Sequence, residues 1–394
     1  MANITGTLSG PLMARREKNL THLIALRLIT GYTLLAVSLI SLLGGDWDIE
    51  WHAVVGRDRT FTPPHDLILI GIGLAGIVAL VSILIETSWA RHHTELAQYG
   101  TDFLGMVHSS LGSYFVGFGA VCSAVAFPLD TYWHSLYGID VSLWAPFHTM
   151  IYMGGVLSTI GVIYILLSSA HLAQSQGQQR WMRLSYAGVI VALGMLLSKF
   201  CTFLTPSLQG HSLNLGFGPI NMFPLLLSLC TAFICILAVR VVRWPGTATL
   251  TIIAFVVIYL LVNAFVPQMM TWLVQAEHQT YLPRAARLGS RVVSTFGQNP
   301  LLLLAGLSID GIVLLSRRRH WSLSTFNWRL VLVATVSTAI VAVLTLITLG
   351  RGQAAGSGHA VVALLFALVF AMLGGFVGSW LGTTIGKTLQ EWRS

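Results

Sequence analysis

The sequence predicts an all-α polytopic transmembrane helix bundle of about ten spans, with a parallel internal repeat of two-helix units. Three observations predict it. Of the 394 residues, 55 % are hydrophobic and 9 % are charged, far below the roughly 25 % charge of an average soluble protein. Apolar runs long enough to span as helices, about 20 residues each, recur along the whole chain. A polar signature between the first two runs returns between the third and fourth. So few charges cannot coat a water-soluble globule, whereas a bilayer asks for none along its hydrocarbon core. The balance excludes a water-soluble enzyme, a disordered regulator and a secreted disulfide scaffold. The formal charge of +8 is carried between the apolar runs, which fits a membrane surface rather than nucleic acid. The lipid bilayer is therefore an expected partner and nucleic acid is not. Cys122, Cys201, Cys230 and Cys235 fall inside apolar stretches, as small buried hydrophobes do.

Arg15, Arg16, Glu17 and Lys18 lie ahead of the first run. No short apolar core with a small-residue cleavage site precedes them, so no removable signal peptide is expected. The spans start near His22, His65, Phe103, Phe147, Leu184, Pro219, Ala248, Pro300, Trp328 and His359. The run at 300–316 is the shortest. Residues 1–21 then form an N-terminal segment, 22–175 a four-helix repeat region and 176–394 a six-helix transmembrane region. Cytoplasmic termini put 14 Lys and Arg on the inside and six in outside loops, with Arg27 and Lys199 within spans. The positive-inside bias favours that orientation, in the cell or inner membrane. The longest outside loop, 267–299, is expected to form an interfacial helix through Arg284, Arg287 and Arg291.

The repeat is specific in spacing. Its first copy reads Asp48-x3-His52-x3-Gly56-x-Asp58, then Pro63-x-His65, then Gly71. Its second reads Asp130-x3-His134-x3-Gly138-x-Asp140, then Pro146-x-His148, then Gly154. Trp51 and Trp133 precede the first histidines, and Pro219-x-Asn221 marks the matching place in a third loop. Each unit holds two spans, so both loops face one side. An Asp and a His at i and i+4 share a helix face if the preceding helix continues past the membrane boundary. The second His arrives where a proline opens the next helix, a favoured first-turn position. Each set brings one carboxylate and two imidazoles to the mouth of a helix hairpin. Three such ligands with a position left open suit copper, zinc or iron; raw affinity favours copper, and no thiolate lies nearby. Asp48, His52, His65, Asp130, His134 and His148 are thus the expected metal ligands. Asp58 and Asp140 are expected to orient the imidazoles from behind. The plainer reading is that these groups cap helix ends, with His and Trp at headgroup level.

The segment from Arg57 to His65, preceded by Asp48-x3-His52, resembles the metal-binding segment of the C subunit of copper-containing membrane monooxygenases, the particulate methane and ammonia monooxygenases. The resemblance implies a copper ligand set at Asp48, His52 and His65 and, through the repeat, at Asp130, His134 and His148. It also implies an oxygen-activating oxidoreductase subunit that needs partner subunits and an electron donor. It covers about 20 residues and flanking helices. The family's subunit carries one such motif rather than two, so the chain reads as a remote relative with a duplicated site. Competing readings are a membrane protein that transports or delivers metal or a small solute, and a non-catalytic structural subunit of a membrane complex.

Other features have plainer explanations. Gly71-x-Gly73-x-x-Gly76 matches a dinucleotide fingerprint but lies in an apolar span with no strand ahead of it, so helix packing is expected to explain it. Gly374, Gly378, Gly382 and Gly386 recur every four residues, a strip for another helix of the chain or for another subunit. Polar groups within or near spans mark function or ion pairs: Arg27, Glu86, His108, Lys199 and Asp310. Lys199 and Asp310 are candidates to pair with each other, to contact substrate or to carry protons. His211, His278 and the Met269-Met270 pair are candidate auxiliary ligands, and His92-His93 a solvated pair.

Overall fold

A computed structural model describes residues 10–56, 59–138, 144–208, 212–214, 219–242, 244–283, 301–348 and 360–391. Among these residues there are ten α-helices: α1 (Gly10–Val54), α2 (Pro63–His92), α3 (Leu111–Tyr137), α4 (Pro146–Ser175), α5 (Gln179–Leu208), α6 (Phe223–Val241), α7 (Thr247–Ala276), α8 (Leu302–Arg318), α9 (Leu323–Thr348) and α10 (Ala360–Glu391). Between α2 and α3 lies an antiparallel hairpin of β1 (Thr101–Phe103) and β2 (Val107–Ser109). A second hairpin, β3 (Ser212–Asn214) with β4 (Pro219–Asn221), precedes α6. Nine helices are long and apolar enough to cross a membrane. The tenth, α8, has 17 residues. At 1.5 Å per residue it reaches about 26 Å, short of a hydrocarbon core of ~30 Å.

The first four helices close a ring: α1 packs on α2 and α4, α2 on α3, and α3 on α4. The C-termini of α1 and α3 and the N-termini of α2 and α4 share one end of it. Small residues set the approach. Gly112 and Gly119 of α3 lie against the backbone carbonyls of Gly161 and Gly154 of α4. In the first hairpin, a Cβ on Gly71 would come within 2.6 Å of Ser41 Cβ. In the second, Gly154 faces Ser123 in the same way. The other glycines of the fingerprint-like run differ: Gly73 has open space and Gly76 only ordinary contact with Ala120. In the remaining bundle, α5 joins α4 to α7, while α6 is flanked by α9 and α10. Gly374, Gly378 and Gly382 seat α10 on the backbone of Leu225, Leu229 and Phe233, and Gly386 meets Arg240. The four-residue strip therefore serves packing within the chain.

Several sequence expectations are corrected. The apolar run at Phe103 predicts a span there, but α3 begins at Leu111, after the β1–β2 hairpin. Ser110 is its N-cap, accepting from Ser113 N, so His108 sits in the hairpin and not in a span. Pro267 does not end a helix; α7 continues through it to Ala276, since membrane helices tolerate proline when neighbours satisfy the freed backbone groups. Arg284, Arg287 and Arg291, through which the interfacial helix of the 267–299 loop is expected, lie outside the described residues. Lys199 and Asp310 do not pair. Lys199 Nζ donates to Gly155 O at 2.9 Å. Asp310 accepts from Ala248 N, Thr249 N and Thr249 Oγ1 at 3.2, 2.8 and 2.7 Å, capping the donor-rich start of α7 from a neighbouring helix. Arg27 and Glu86 form the buried ion pair instead, with Nε–Oε1 at 3.1 Å and Nη2–Oε2 at 2.8 Å. Ser168 Oγ, Tyr99 O and Ser110 N complete their hydrogen bonds. That satisfies a desolvated pair which would otherwise be costly.

Candidate metal centres

Each motif is assembled by a helix that overruns its span and a helix that starts on proline. α1 continues to Val54 and α3 to Tyr137, so Asp48/His52 and Asp130/His134 stand one turn apart on one helix face. Pro63 and Pro146 open α2 and α4, and place His65 and His148 in the first turn, opposite those pairs.

Among the described residues, two groups of His, Cys, Asp or Glu could hold a metal ion: Asp48, His52, His65 and Asp130, His134, His148. In the second group all three donor separations are short. Asp130 Oδ2 lies 3.3 Å from His134 Nε2 and 3.1 Å from His148 Nε2, and the two Nε2 atoms are 3.4 Å apart. In the first group Asp48 Oδ1 lies 3.5 Å from His52 Nε2 and 3.1 Å from His65 Nε2. Donors about 2.0–2.1 Å from a tetrahedral ion stand about 3.3–3.4 Å from one another. Three such atoms form one face of a coordination shell and leave the opposite side open.

The tautomers agree. His65 Nδ1 faces the carbonyls of Arg59 and Thr60 at 3.1 and 3.2 Å, and His134 Nδ1 faces the carbonyl of Gly138 at 3.1 Å. A ring nitrogen facing carbonyls carries the proton and donates it, so Nε2 of the neutral ring turns a lone pair toward the carboxylate. Lone pair against carboxylate oxygen at this range is repulsive unless a proton or a cation lies between them. Helix capping does not account for the carboxylates. The N-caps of α2 and α4 are Thr62 and Ala145, without side-chain cap bonds, and Asp48 and Asp130 lie near helix C-termini, where the dipole gives a carboxylate no help.

The expected orienting groups, Asp58 and Asp140, lie outside the described residues, as does His211. Within the described residues, backbone carbonyls orient His65 and His134. His278 follows α7 and belongs to neither group. Met270 is fully buried, and with Met269 it packs in the cluster that holds Trp47 and Trp51. His92 Nδ1 donates to Ser88 O at 2.7 Å, and His93 lies 3.9 Å from Glu95. At Pro219–Asn221 the chain forms strand β4, and no third group is found among the described residues.

Three features escaped the sequence reading. Ser41 and Ser123 repeat with the motif and receive Gly71 and Gly154; their equal offset was the available signal. Phe127 of α3 meets the His65 ring edge-on, with centroids 5.5 Å apart, and so joins the two motifs. Its position in the first copy is Gly45, so the repeat gave no hint of it. Asp46 and Glu50, alternating with the first ligand pair, are 2 % and 1 % exposed. Asp48 also lies within electrostatic reach of His148.

Compared with protein-family models, with curated proteins and with solved structures, the chain matches none. The geometry alone thus defines the class: a membrane-spanning helical protein with two His/Asp groups able to hold metal ions.

Proposed function

We propose that this chain binds copper at both Asp/His/His groups and acts as a subunit of an oxygen-activating membrane oxidoreductase akin to the copper membrane monooxygenases. The single observation that carries the metal reading is the set of three donor separations at Asp130, His134 and His148, 3.1 to 3.4 Å. Copper is preferred, with zinc or iron as alternatives, because imidazole and carboxylate donors without thiolate leave the choice to intrinsic affinity, which peaks at copper. Bound copper supplies one-electron redox chemistry. The chain's residues hold the ion, fix the His65 and His134 rings through backbone carbonyls, and surround it with apolar helices suited to a small apolar substrate. An electron donor and further membrane subunits complete the activity. With α8 counted as a short tenth span, the termini lie in the cytoplasm and the motif loops on the outer face, because inside segments then carry most of the Lys and Arg.

Protein purified in mild detergent and loaded with copper tests this. It should give a Cu(II) paramagnetic resonance spectrum of the tetragonal nitrogen/oxygen type. Metal analysis finding no copper, zinc or iron above background, on isolation and after loading, would remove the metal reading. A second reading, metal delivery across the membrane, draws on Asp46 and Glu50, two further buried carboxylates of α1 that flank Asp48 in sequence. Copper uptake by vesicles holding the purified chain, abolished by Asp46→Ala, would favour it over the oxidoreductase.

A further inference from the structure

The β1–β2 hairpin has an unusual tip. Leu104 and Gly105 both adopt positive φ, 56° and 67°, as the central residues of a tight two-strand turn do. Such turns favour Asn-Gly or Asp-Gly, because an L side chain other than those of Asn and Asp is poorly accommodated at positive φ. Here the strained position holds a leucine, and it is 77 % exposed. Met106, on the other side of the glycine, is 66 % exposed. In water such a tip would combine backbone strain with exposed apolar surface, with no gain from either.

The hairpin does not stand clear of the helices. Phe103 stacks against Tyr114 and Phe118 of α3, with centroids 5.4 and 5.7 Å away. Phe118 lies seven residues into α3, about 10 Å along its axis. Tyr114 Oη donates to Thr101 O and Val107 O, and Thr87 Oγ1 binds the backbone of His108. The hairpin is therefore clamped alongside the first turns of α3. The apolar faces it continues are exposed: Leu80 and Leu84 on α2, Phe118 and Val121 on α3, the surfaces that a membrane-crossing helix turns to lipid. Polar groups border the same hairpin: Asp102 accepts from Gly105 N, and Arg91 donates to Met106 O at 2.8 Å.

We propose that the tip residues Leu104 and Met106 insert into the bilayer interface, at the boundary between headgroups and acyl chains, at the end of the four-helix ring opposite the metal groups. The partner is lipid. Arg91 sits at headgroup level, where a cation meets lipid phosphate, while the tip buries its side chains as interfacial apolar anchors do. The carbonyls and amides of the outer strand stay within reach of interfacial water, as they must.

Environment-sensitive nitrobenzoxadiazole labels placed on Leu104→Cys and, separately, Met106→Cys in the full chain test this after reconstitution into lipid nanodiscs. The signal of the unsubstituted protein, with its four native cysteines, is subtracted. Gln98→Cys serves as the aqueous control and Val121→Cys as the acyl control. Labels at 104 and 106 should emit to the blue of the one at 98 and be quenched by lipids spin-labelled near the headgroup, while iodide in the water quenches them less than it quenches 98. Emission and iodide quenching equal to those at 98 would overturn the proposal. Protection from both quenchers would overturn it as well, showing a second copy of the chain over the tip. Using two positions guards against a single substitution that disturbs the turn.

Discussion

The two copies of the motif share ligands and spacing but not surroundings. The first is walled in. Trp47 and Trp51 are 2 % and 1 % exposed, packed against Met195 of α5 and Ile258, Val262 and Met270 of α7. The end of α7 closes over its loop: Arg59 donates to Glu277 at 2.7 Å, and Leu282 N donates to Val54 O at 2.9 Å. The second copy lies at the rim. On the corresponding stretch of α3, Tyr132 and Tyr137 are 61 % and 70 % exposed. Among the described residues, Trp133, the counterpart of Trp51, stacks on Tyr137 and Phe147 of its own hairpin. Duplication preserved the donor atoms while packing diverged, so the ligand geometry is a property of each hairpin and not of what surrounds it.

The largest effect that could break this comparison comes from removing donors. His134→Ala with His148→Ala, and separately His52→Ala with His65→Ala, should each lower bound copper from about two ions per chain to about one, since each hairpin carries a complete donor set. Metal analysis beside resonance spectra checks it. If either pair removed all the metal, the hairpins would form one centre and the independence argued above would fail.

A smaller effect should follow from the helix contacts beneath each set. Gly154→Val would drive a side chain into Gly119 and Ser123, and Gly71→Val into Ser41. Overpacking of this kind costs typically 1–3 kcal/mol, read as a lower midpoint of thermal unfolding in detergent. Gly154→Val should spare copper at Asp48, His52 and His65, and Gly71→Val should spare it at Asp130, His134 and His148. Loss of both by one variant would mean that the ring, and not the hairpin, holds each set in place.

Much of this arrangement was legible in the sequence, for physical reasons. Bilayer-length apolar runs announce spans because lipid demands length and hydrophobicity together. The Asp-x3-His spacing and the opening proline predict shared faces because helical geometry is fixed. Contacts between elements distant in sequence were hidden. Asp310 reads as an unpaired intramembrane acid until α7 is placed beside it, and Arg27 shows no sign of Glu86, 59 residues on. The hairpin before α3 was masked by its own hydrophobicity: Phe103, Leu104 and Met106 read as the start of a span. Phe127 stayed hidden because its contact with His65 joins helices distant in sequence, and the first copy has Gly45 in its place.

That crossing predicts an effect in the wrong copy. Phe127 belongs to α3, one turn from Asp130, yet its ring meets His65. Phe127→Ala should weaken copper at Asp48, His52 and His65 by about 5-fold, the equivalent of ~1 kcal/mol for an aromatic edge contact, and leave the second set nearly unchanged. Copper titration of the variant, with each set monitored in the background of the other's His→Ala pair, measures both. A loss confined to the second set would show that Phe127 acts through its own helix.

The smallest effect is expected at Gly45, the counterpart of Phe127 in the first copy. A Cβ there would meet nothing within 4 Å, and the residue is helical, so no turn or close approach requires a glycine. Gly45→Ala should leave both copper sets intact and raise stability by about 0.5–1 kcal/mol, the cost of glycine in a helix interior, seen as a slightly higher unfolding midpoint in detergent. The comparison sharpens here because the equivalent position in α3 carries a ring that touches the other copy's ligand. If Gly45→Ala instead weakened copper at Asp130, His134 and His148, the open space beside α1 would belong to the second centre, and the asymmetry between the copies would be functional and not merely a difference of packing.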